Sequence, residues 1–224
     1  MSTIAIIPAR GGSKRLPRKN ILPLEGVPLV VRVINTCISS GLFDKVIVSS
    51  EDTEILDIVS YTDAIAFKRN IDLAQDRSTV VEVCLDVLEQ EKTTDSFCCI
   101  YATSALLSSN TLKEAYSYFL SEPKASTVMG VSKYNHSPVQ ALLIDENGFA
   151  KMLHPEYNKV QSQLFPKLRV SNGSFYWSKF SDFAKEKTFY TETLKVFDIP
   201  DLESCDLDNE SDYIRMINLF FKNK

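Results

Sequence analysis

A short apolar run, Ile4-Ala5-Ile6-Ile7, opens directly into Pro8-Ala9-Arg10-Gly11-Gly12-Ser13-Lys14-Arg15-Leu16-Pro17-Arg18-Lys19-Asn20, and this junction constrains the fold more than any other stretch. Four apolar residues in a row, three of them β-branched, read as a buried strand. The loop behind it holds Arg10, Lys14, Arg15, Arg18 and Lys19 and no acidic residue. The chain as a whole carries 25 basic against 29 acidic residues, a formal net charge of −4. Five cations gathered on one loop of an acidic protein must face a local anion. Gly11 and Gly12 allow a tight turn that brings backbone N–H groups close to it. A strand that runs into a glycine-rich basic turn is how many α/β proteins hold phosphate.

The spacing excludes two familiar phosphate loops. A P-loop needs four residues between Gly and Gly-Lys-Ser/Thr, and the dinucleotide fingerprint needs G-x-G-x-x-G. Neither is present, which disfavours an ATPase and a dinucleotide dehydrogenase. A solvated basic turn in contact with RNA is the alternative, but nucleic-acid binders usually spread their positive charge over a wider surface than one loop.

The rest of the chain alternates strand and helix. From Pro28 to Ser40 the apolar residues Leu29, Val30, Val33, Ile34, Cys37 and Ile38 have helical spacing, and Gly41 closes the helix. Lys45–Ser49 reads as a second strand and Asp52–Ser60 as a short helix. Ser78 or Thr79 caps a helix carrying Val80, Val81, Cys84, Val87 and Leu88. Phe97–Tyr101 is a third buried strand, a helix marked by Leu112, Ala115 and Phe119 follows, and Ser126–Val131 is another strand. This rhythm predicts an α/β three-layer sandwich with a mostly parallel, Rossmann-like sheet. Residues 134–171 break it with turn signals and a hairpin-like pair around Asn147-Gly148. Strand and helix resume at 173–177, 194–199 and 209–221.

At 224 residues the chain reads as a single domain, 1–224, with 134–171 as an excursion. No apolar run is long enough for a signal peptide or a membrane span. Five cysteines without a C-x-x-C pair fit free thiols in a reducing cytoplasm.

The string Ile-Ile-Pro-Ala-Arg-Gly-Gly-Ser-Lys, with Pro17, Lys19 and Asn20 behind it, resembles the N-terminal signature of the CMP-sugar synthetases, and within them the acylneuraminate cytidylyltransferase family. Later blocks match in the same order: Gly41–Ser50, Arg69–Ser78, Tyr101–Ser104, Asn172–Tyr176 and Cys205–Asp208. The resemblance implies transfer of CMP from CTP to a nine-carbon 2-keto sugar acid with release of pyrophosphate. Tyr101 favours the pseudaminic acid branch. A neuraminic or legionaminic acid, the eight-carbon Kdo, and a nucleotide-binding paralogue without turnover are the alternatives. Asn70, Ala102 and Ala105 stand where the family has proline, and Gln161 where that branch has arginine.

The implied chemistry is attack of a sugar hydroxyl on the α-phosphorus, so catalysis rests on positioning and positive charge. Arg10 and Lys19 are the candidates to hold the triphosphate, with Ala9, the N–H groups of Gly11, Gly12 and Ser13, and Asn20 completing the cradle. Lys14, Arg15 and Arg18 either touch the ligand or only raise the local potential. Arg69 with Ser78 or Thr79 is expected on the nucleotide, and Tyr101 on nucleotide and sugar. Thr103, Ser104, Gln163 and Asn172 are the remaining sugar candidates. Asp206 and Asp208, two apart in an extended segment, present both carboxylates to one side, as a Mg²⁺ site shared with phosphate oxygens needs. Asp208 is alternatively the N-cap of the last helix, whose apolar stripe reads Tyr213, Ile214, Ile217, Phe220 and Phe221. Residues 134–171, with Val139, Leu142, Leu143, Ile144, Phe149, Met152, Leu153 and Phe165, read as an arm that makes a homodimer. No nucleic acid or membrane partner is expected.

Overall fold

Ile4, Ala5, Ile6 and Ile7 are all buried, as a strand in the middle of a parallel sheet must be. The computed structural model describes residues 2–91 and 95–223. In chain order these form β1 (Thr3–Pro8), the short pair β2 (Pro23–Leu24) and β3 (Val27–Pro28), α1 (Leu29–Ser40), β4 (Lys45–Ser50), α2 (Thr53–Ser60), β5 (Ile65–Lys68) and α3 (Val80–Gln90). Then follow β6 (Ser96–Ile100), α4 (Ser109–Ser121), β7 (Thr127–Lys133), β8 (Leu142–Ile144), β9 (Ala150–Met152), β10 (Arg169–Lys179), α5 (Phe180–Glu186), β11 (Leu194–Asp198) and α6 (Glu210–Lys222). Seven strands make one sheet in the order β11-β7-β10-β6-β1-β4-β5. Every neighbouring pair is parallel except the two made by β10, which runs antiparallel to β6 and β7.

Because successive side chains on a strand point to opposite faces, β1 serves two cores. Ala5 and Ile7 pack with Leu29, Val30, Val33, Ile34, Leu112 and Trp177 on one face. Ile4 and Ile6 pack with Cys84, Val87, Leu88, Phe97 and Phe183 on the other. This is the expected sandwich, with helices on both faces of a mostly parallel sheet.

Local chemistry explains the helix ends. Gly41 closes α1 at φ +66°, where a side chain would be strained. Asp52 caps α2 by accepting the Ile55 N–H at 3.1 Å. Of the two expected caps for α3, Thr79 does the work, in a capping box with Glu82. The Ser78 hydroxyl instead donates to the Asp72 carbonyl at 2.9 Å. At α6 the cap is Asn209, not Asp208. The Asn209 side chain accepts the Asp212 N–H at 3.1 Å, and the Asp212 carboxylate accepts the Asn209 N–H at 3.0 Å. Its buried residue is Met216, flanked by Tyr213, Ile217 and Phe220, while Ile214 and Phe221 face solvent. Strand β5 is not foreseen in the sequence, because it is a short edge strand with little apolar alternation.

The segment between β7 and β10 runs from 134 to 168, since Arg169–Ser171 already pair with β7. The hairpin around Asn147-Gly148 forms as β8 and β9, with Gly148 at φ +83°. Val139 is buried within the subunit, whereas Leu142, Leu143, Ile144, Phe149 and Leu153 are exposed.

Strand β10 slips register against β7 between Ser171 and Tyr176. Gly173 sits in that irregularity at φ +63°, and a Cβ there would lie 2.8 Å from the Tyr101 ring. Both the backbone angle and the ring demand glycine. Gly173→Ala is expected to cost about 1–3 kcal/mol from strain and overpacking together. Chemical denaturation measures it, and an unchanged midpoint would mean that the ring and strand give way freely.

Candidate active site

Parallel α/β sheets bind ligands beyond the carboxyl ends of their strands. Here the loop after β1, the segment after β5 and the segment after β6 converge there around a cavity of about 260 Å³. Arg10, Lys19, Asn20, Arg69, Ser78, Thr79, Tyr101 and Thr103 line it, so eight expected residues from four stretches of sequence meet in one cleft.

The basic loop is held by the end of β4. The buried Ala9 N–H donates to the Ser49 carbonyl at 2.9 Å. The Gly11 N–H donates to Oε1 of Glu51 at 2.8 Å. Any Cβ on Gly11 would run into the Asp52 side chain at 2.2 Å, so this glycine is required by crowding. Gly12 has open space around it, and nothing steric demands glycine there. The Ser13 N–H turns back to the Gly11 carbonyl at 3.1 Å. Asn20, buried beneath the loop, donates its side-chain amide to the Arg10 carbonyl at 2.8 Å. Two of the three expected cradle amides therefore point at protein acceptors in this state.

The local anions are the chain's own carboxylates. Arg10 meets Asp76 at 3.3 Å, and Lys14 shares the same carboxylate. Arg15 donates to Asp208 at 2.7 Å. Arg18, in the left-handed region at φ 57°, donates to Asp52 at 2.5 Å and pairs with Glu54. Lys19 donates to the Leu207 carbonyl at 2.8 Å, with Asp208 3.6 Å away. The hydrogen bond from Arg18 holds the Asp52 carboxyl below its ordinary value, and Lys14 does the same for Asp76.

Arg69 is buried on the floor of the cleft. Its Nε donates to Ser49 Oγ at 3.1 Å and its Nη2 to the Ser49 carbonyl, while Nη1 faces Glu51 at 3.9 Å. Burial lowers its pKa and the Glu51 charge opposes that. Tyr101 packs edge-on against Tyr176, with ring centroids 6.0 Å apart. Burial pushes its hydroxyl well above the ordinary tyrosine range, which keeps it a neutral donor.

Asp206 and Asp208 flank the fully buried Leu207 on the irregular segment that leads into α6. Asp206 reaches solvent, yet packing around it and then the neighbouring Asp208 charge raise its carboxyl above the usual value. A carboxylate whose ionisation a neighbouring carboxylate opposes suits a divalent cation, and Mg²⁺ takes few protein carboxylates beside phosphate and water. No group of three or more His, Cys, Asp or Glu side chains placed to hold a metal occurs among the described residues. Asp206 also lines a second cavity of about 650 Å³ with Asn172, Ser132, Ser204 and Arg215. There Asn172 donates to Ser132 Oγ at 2.6 Å and to Ser204 Oγ at 2.8 Å.

Two expected sugar contacts lie elsewhere. The Ser104 hydroxyl is buried and donates to the Ser174 carbonyl at 3.1 Å, which ties β6 to β10. Gln163 is exposed on the excursion, where its amide donates to Gln161 at 2.6 Å. Conversely, Glu51, Asp52 and Asp76 were not among the expected site residues. The signal for the first two was an acidic pair placed directly after a buried strand.

The family described as Cytidylyltransferase matches residues 4–217. The pseudaminic acid cytidylyltransferase of Campylobacter jejuni subsp. jejuni serotype O:23/36 (strain 81-176) is 32% identical over 217 residues, covering 95% of this chain and 93% of its own. The CMP-N,N'-diacetyllegionaminic acid synthase of Legionella pneumophila is 29% identical over 228 residues, covering 95% and 94%. A solved structure of CMP:2-keto-3-deoxy-manno-octonic acid synthetase complexed with CTP shares the fold, with a TM-score of 0.72 at 14% identity and 100% coverage of both chains. With a basic loop and a buried arginine on one cleft, Asp208 beside Lys19 at its edge, and a family match over nearly its whole length, the chain belongs to the cytidylyltransferase family.

Proposed function

We propose that this chain transfers CMP from CTP to a nine-carbon 2-keto sugar acid, pseudaminic acid first among them, and releases pyrophosphate. The observation that carries the reading is the convergence of Arg10, Lys19 and Arg69 on one cleft beside the Asp206–Asp208 segment. In the reaction a sugar hydroxyl oxygen bonds to the α-phosphorus as the bond to the β-phosphate oxygen breaks. Negative charge grows on phosphate oxygens, and fixed cations lower that barrier. Arg10 and Lys19 grip the triphosphate after exchanging their carboxylate partners for it. Arg69 stays fixed by Ser49 and supplies charge from below. Tyr101 and Thr103 border the sugar side, and Asn172 with Asp206 lines the larger cavity that receives it. Asp206 and Asp208 would hold Mg²⁺, which screens the charge between them and the phosphate oxygens. The C. jejuni relative supports pseudaminic acid as the acceptor; the Legionella relative makes a legionaminic acid the rival. The free, buried thiols Cys37, Cys84, Cys98 and Cys99 support work in a reducing cytoplasm.

The excursion between β7 and β10 supports a homodimer. A two-stranded hairpin is marginal alone, and Leu142, Ile144 and Phe149 on β8–β9 are exposed. A second copy packing against this face in a two-fold dimer would cover it.

Two measurements test these readings. Pyrophosphate release is expected with CTP and a nonulosonic acid, fastest for pseudaminic acid, with at least about tenfold less from ATP or GTP. Chelation with EDTA should abolish it and added Mg²⁺ restore it. Equal turnover of a purine triphosphate would refute the base assignment, and EDTA-resistant turnover the metal. Light scattering at micromolar concentration should give about twice the 25.3 kDa chain mass; a fully active monomer would refute the dimer.

A further inference from the structure

Glu51 is a largely buried carboxylate, 13% exposed, to which the chemistry above gives no part. It stands one residue beyond β4, where a sheet of this kind opens onto its ligand. Its Oε1 accepts the Gly11 N–H at 2.8 Å. Its Oε2 is shut off from solvent, has no hydrogen-bond partner among the described residues, and faces Nη1 of Arg69 at 3.9 Å.

Burying a carboxylate is costly unless it is both paired and hydrogen-bonded. One hydrogen bond and a loose ion pair offset that cost poorly, so folding stability alone gives little reason for a charge here. An apolar side chain would fill the same space at less expense. What Glu51 does accomplish is to join two walls of the cleft. One oxygen fixes the Gly11 amide of the basic loop. The other faces the only edge of Arg69 that Ser49 does not hold. Without it the Gly11–Ser13 turn would lose its anchor to β4, and the Arg69 guanidinium would be held along one edge only.

We propose that Glu51 is a positioning residue for the triphosphate, setting the basic loop and Arg69 at a fixed separation across the cleft. The proposal rests on the reading of CTP as substrate. Glu51 does not line the cavity assigned to the sugar, so its effect falls on the nucleotide. A misplacement of about 1 Å in such groups costs up to about a hundredfold.

Steady-state kinetics with CTP and sugar varied in turn, on wild type, Glu51→Gln and Glu51→Ala, test it, with circular dichroism and melting curves as the check on folding. Glu51→Gln keeps an oxygen for the Gly11 N–H and loses the charge facing Arg69; Glu51→Ala loses both. The expected result is a CTP KM raised about tenfold or more in Glu51→Ala and by a smaller factor in Glu51→Gln, with the sugar KM within about twofold of wild type. A folded Glu51→Ala with wild-type CTP KM overturns the proposal, as does a variant that only melts earlier. Should Glu51→Ala not fold, Glu51→Gln decides: a CTP KM raised about threefold supports the role and an unchanged one overturns it. A wild-type chain with no CTP turnover overturns this proposal and the function reading together, whereas wild-type turnover with unaffected variants overturns the Glu51 role alone.

Discussion

The end of β4 is what the cleft depends on. Four consecutive residues there, Ser49, Ser50, Glu51 and Asp52, touch the basic loop or the arginine facing it. Ser49 accepts from Ala9 and from Arg69, Glu51 accepts from Gly11, and Asp52 crowds Gly11 and binds Arg18. Asp52 also caps α2, so the same turn starts a helix and fixes a loop. The parallel register of β1 and β4, with Pro8 opposite Ser49, brings the two strand ends side by side. A loop of five cations cannot hold a shape by its own charge, because the cations repel one another. It holds one because backbone hydrogen bonds and the packing of Gly11 set its path first.

The ion pairs around the loop then play a different part. Lys14 and Arg15 are largely exposed, and Arg10 and Asp76 are about half exposed. Such pairs are each worth about 0–1 kcal/mol and weaken in salt. They neutralise the loop while it waits, and they are cheap to exchange for a more highly charged anion. Asn20 beneath the loop and Arg69 behind it are buried and hydrogen-bonded to backbone. The cleft thus has a rigid floor and an exchangeable rim. On the proposed function, that division would let a polyphosphate enter without rebuilding the site.

Much of the fold was legible because the periodicities were clean. Leu29 to Cys37 repeat at helical spacing and end on Gly41, and the strand at 97–100 is continuous and apolar, as a two-sided parallel strand must be. What escaped was decided by contacts distant in sequence. β5 has no pattern of its own and exists because β4 offers it an edge. The antiparallel course of β10 follows from its place between β6 and β7, which no local signal reports. Asp208 was the cap read from the sequence, and the reciprocal bonds between Asn209 and Asp212 put the cap one residue later. Lys19 and Asp208 are 189 positions apart in the chain and 3.6 Å apart in space.

The site shows the same division between local and distant information. Arg10, Lys19, Asn20 and Tyr101 were readable because a basic, glycine-rich turn and the end of a buried strand are where a sheet of this kind must bind, whereas Arg69 follows a strand with no pattern of its own and was reached only through the family resemblance. Their partners were not, because an acidic residue next to a strand end looks like any solvated charge or helix cap. Asp52 is such a cap, and it is also the wall that makes Gly11 indispensable. Ser104 carried the opposite ambiguity, since a hydroxyl beside the cleft could have faced either ligand or strand. The carbonyl of Ser174, which also accepts the Tyr101 N–H, takes it, so the hydroxyl ties the segment after β6 to β10. The Gly11 amide is likewise held by Glu51 and the Lys19 ammonium by the Leu207 carbonyl, so several of the loop's donors already serve the protein's own acceptors. On the proposed function, a nucleotide would enter this cleft largely by exchange of partners.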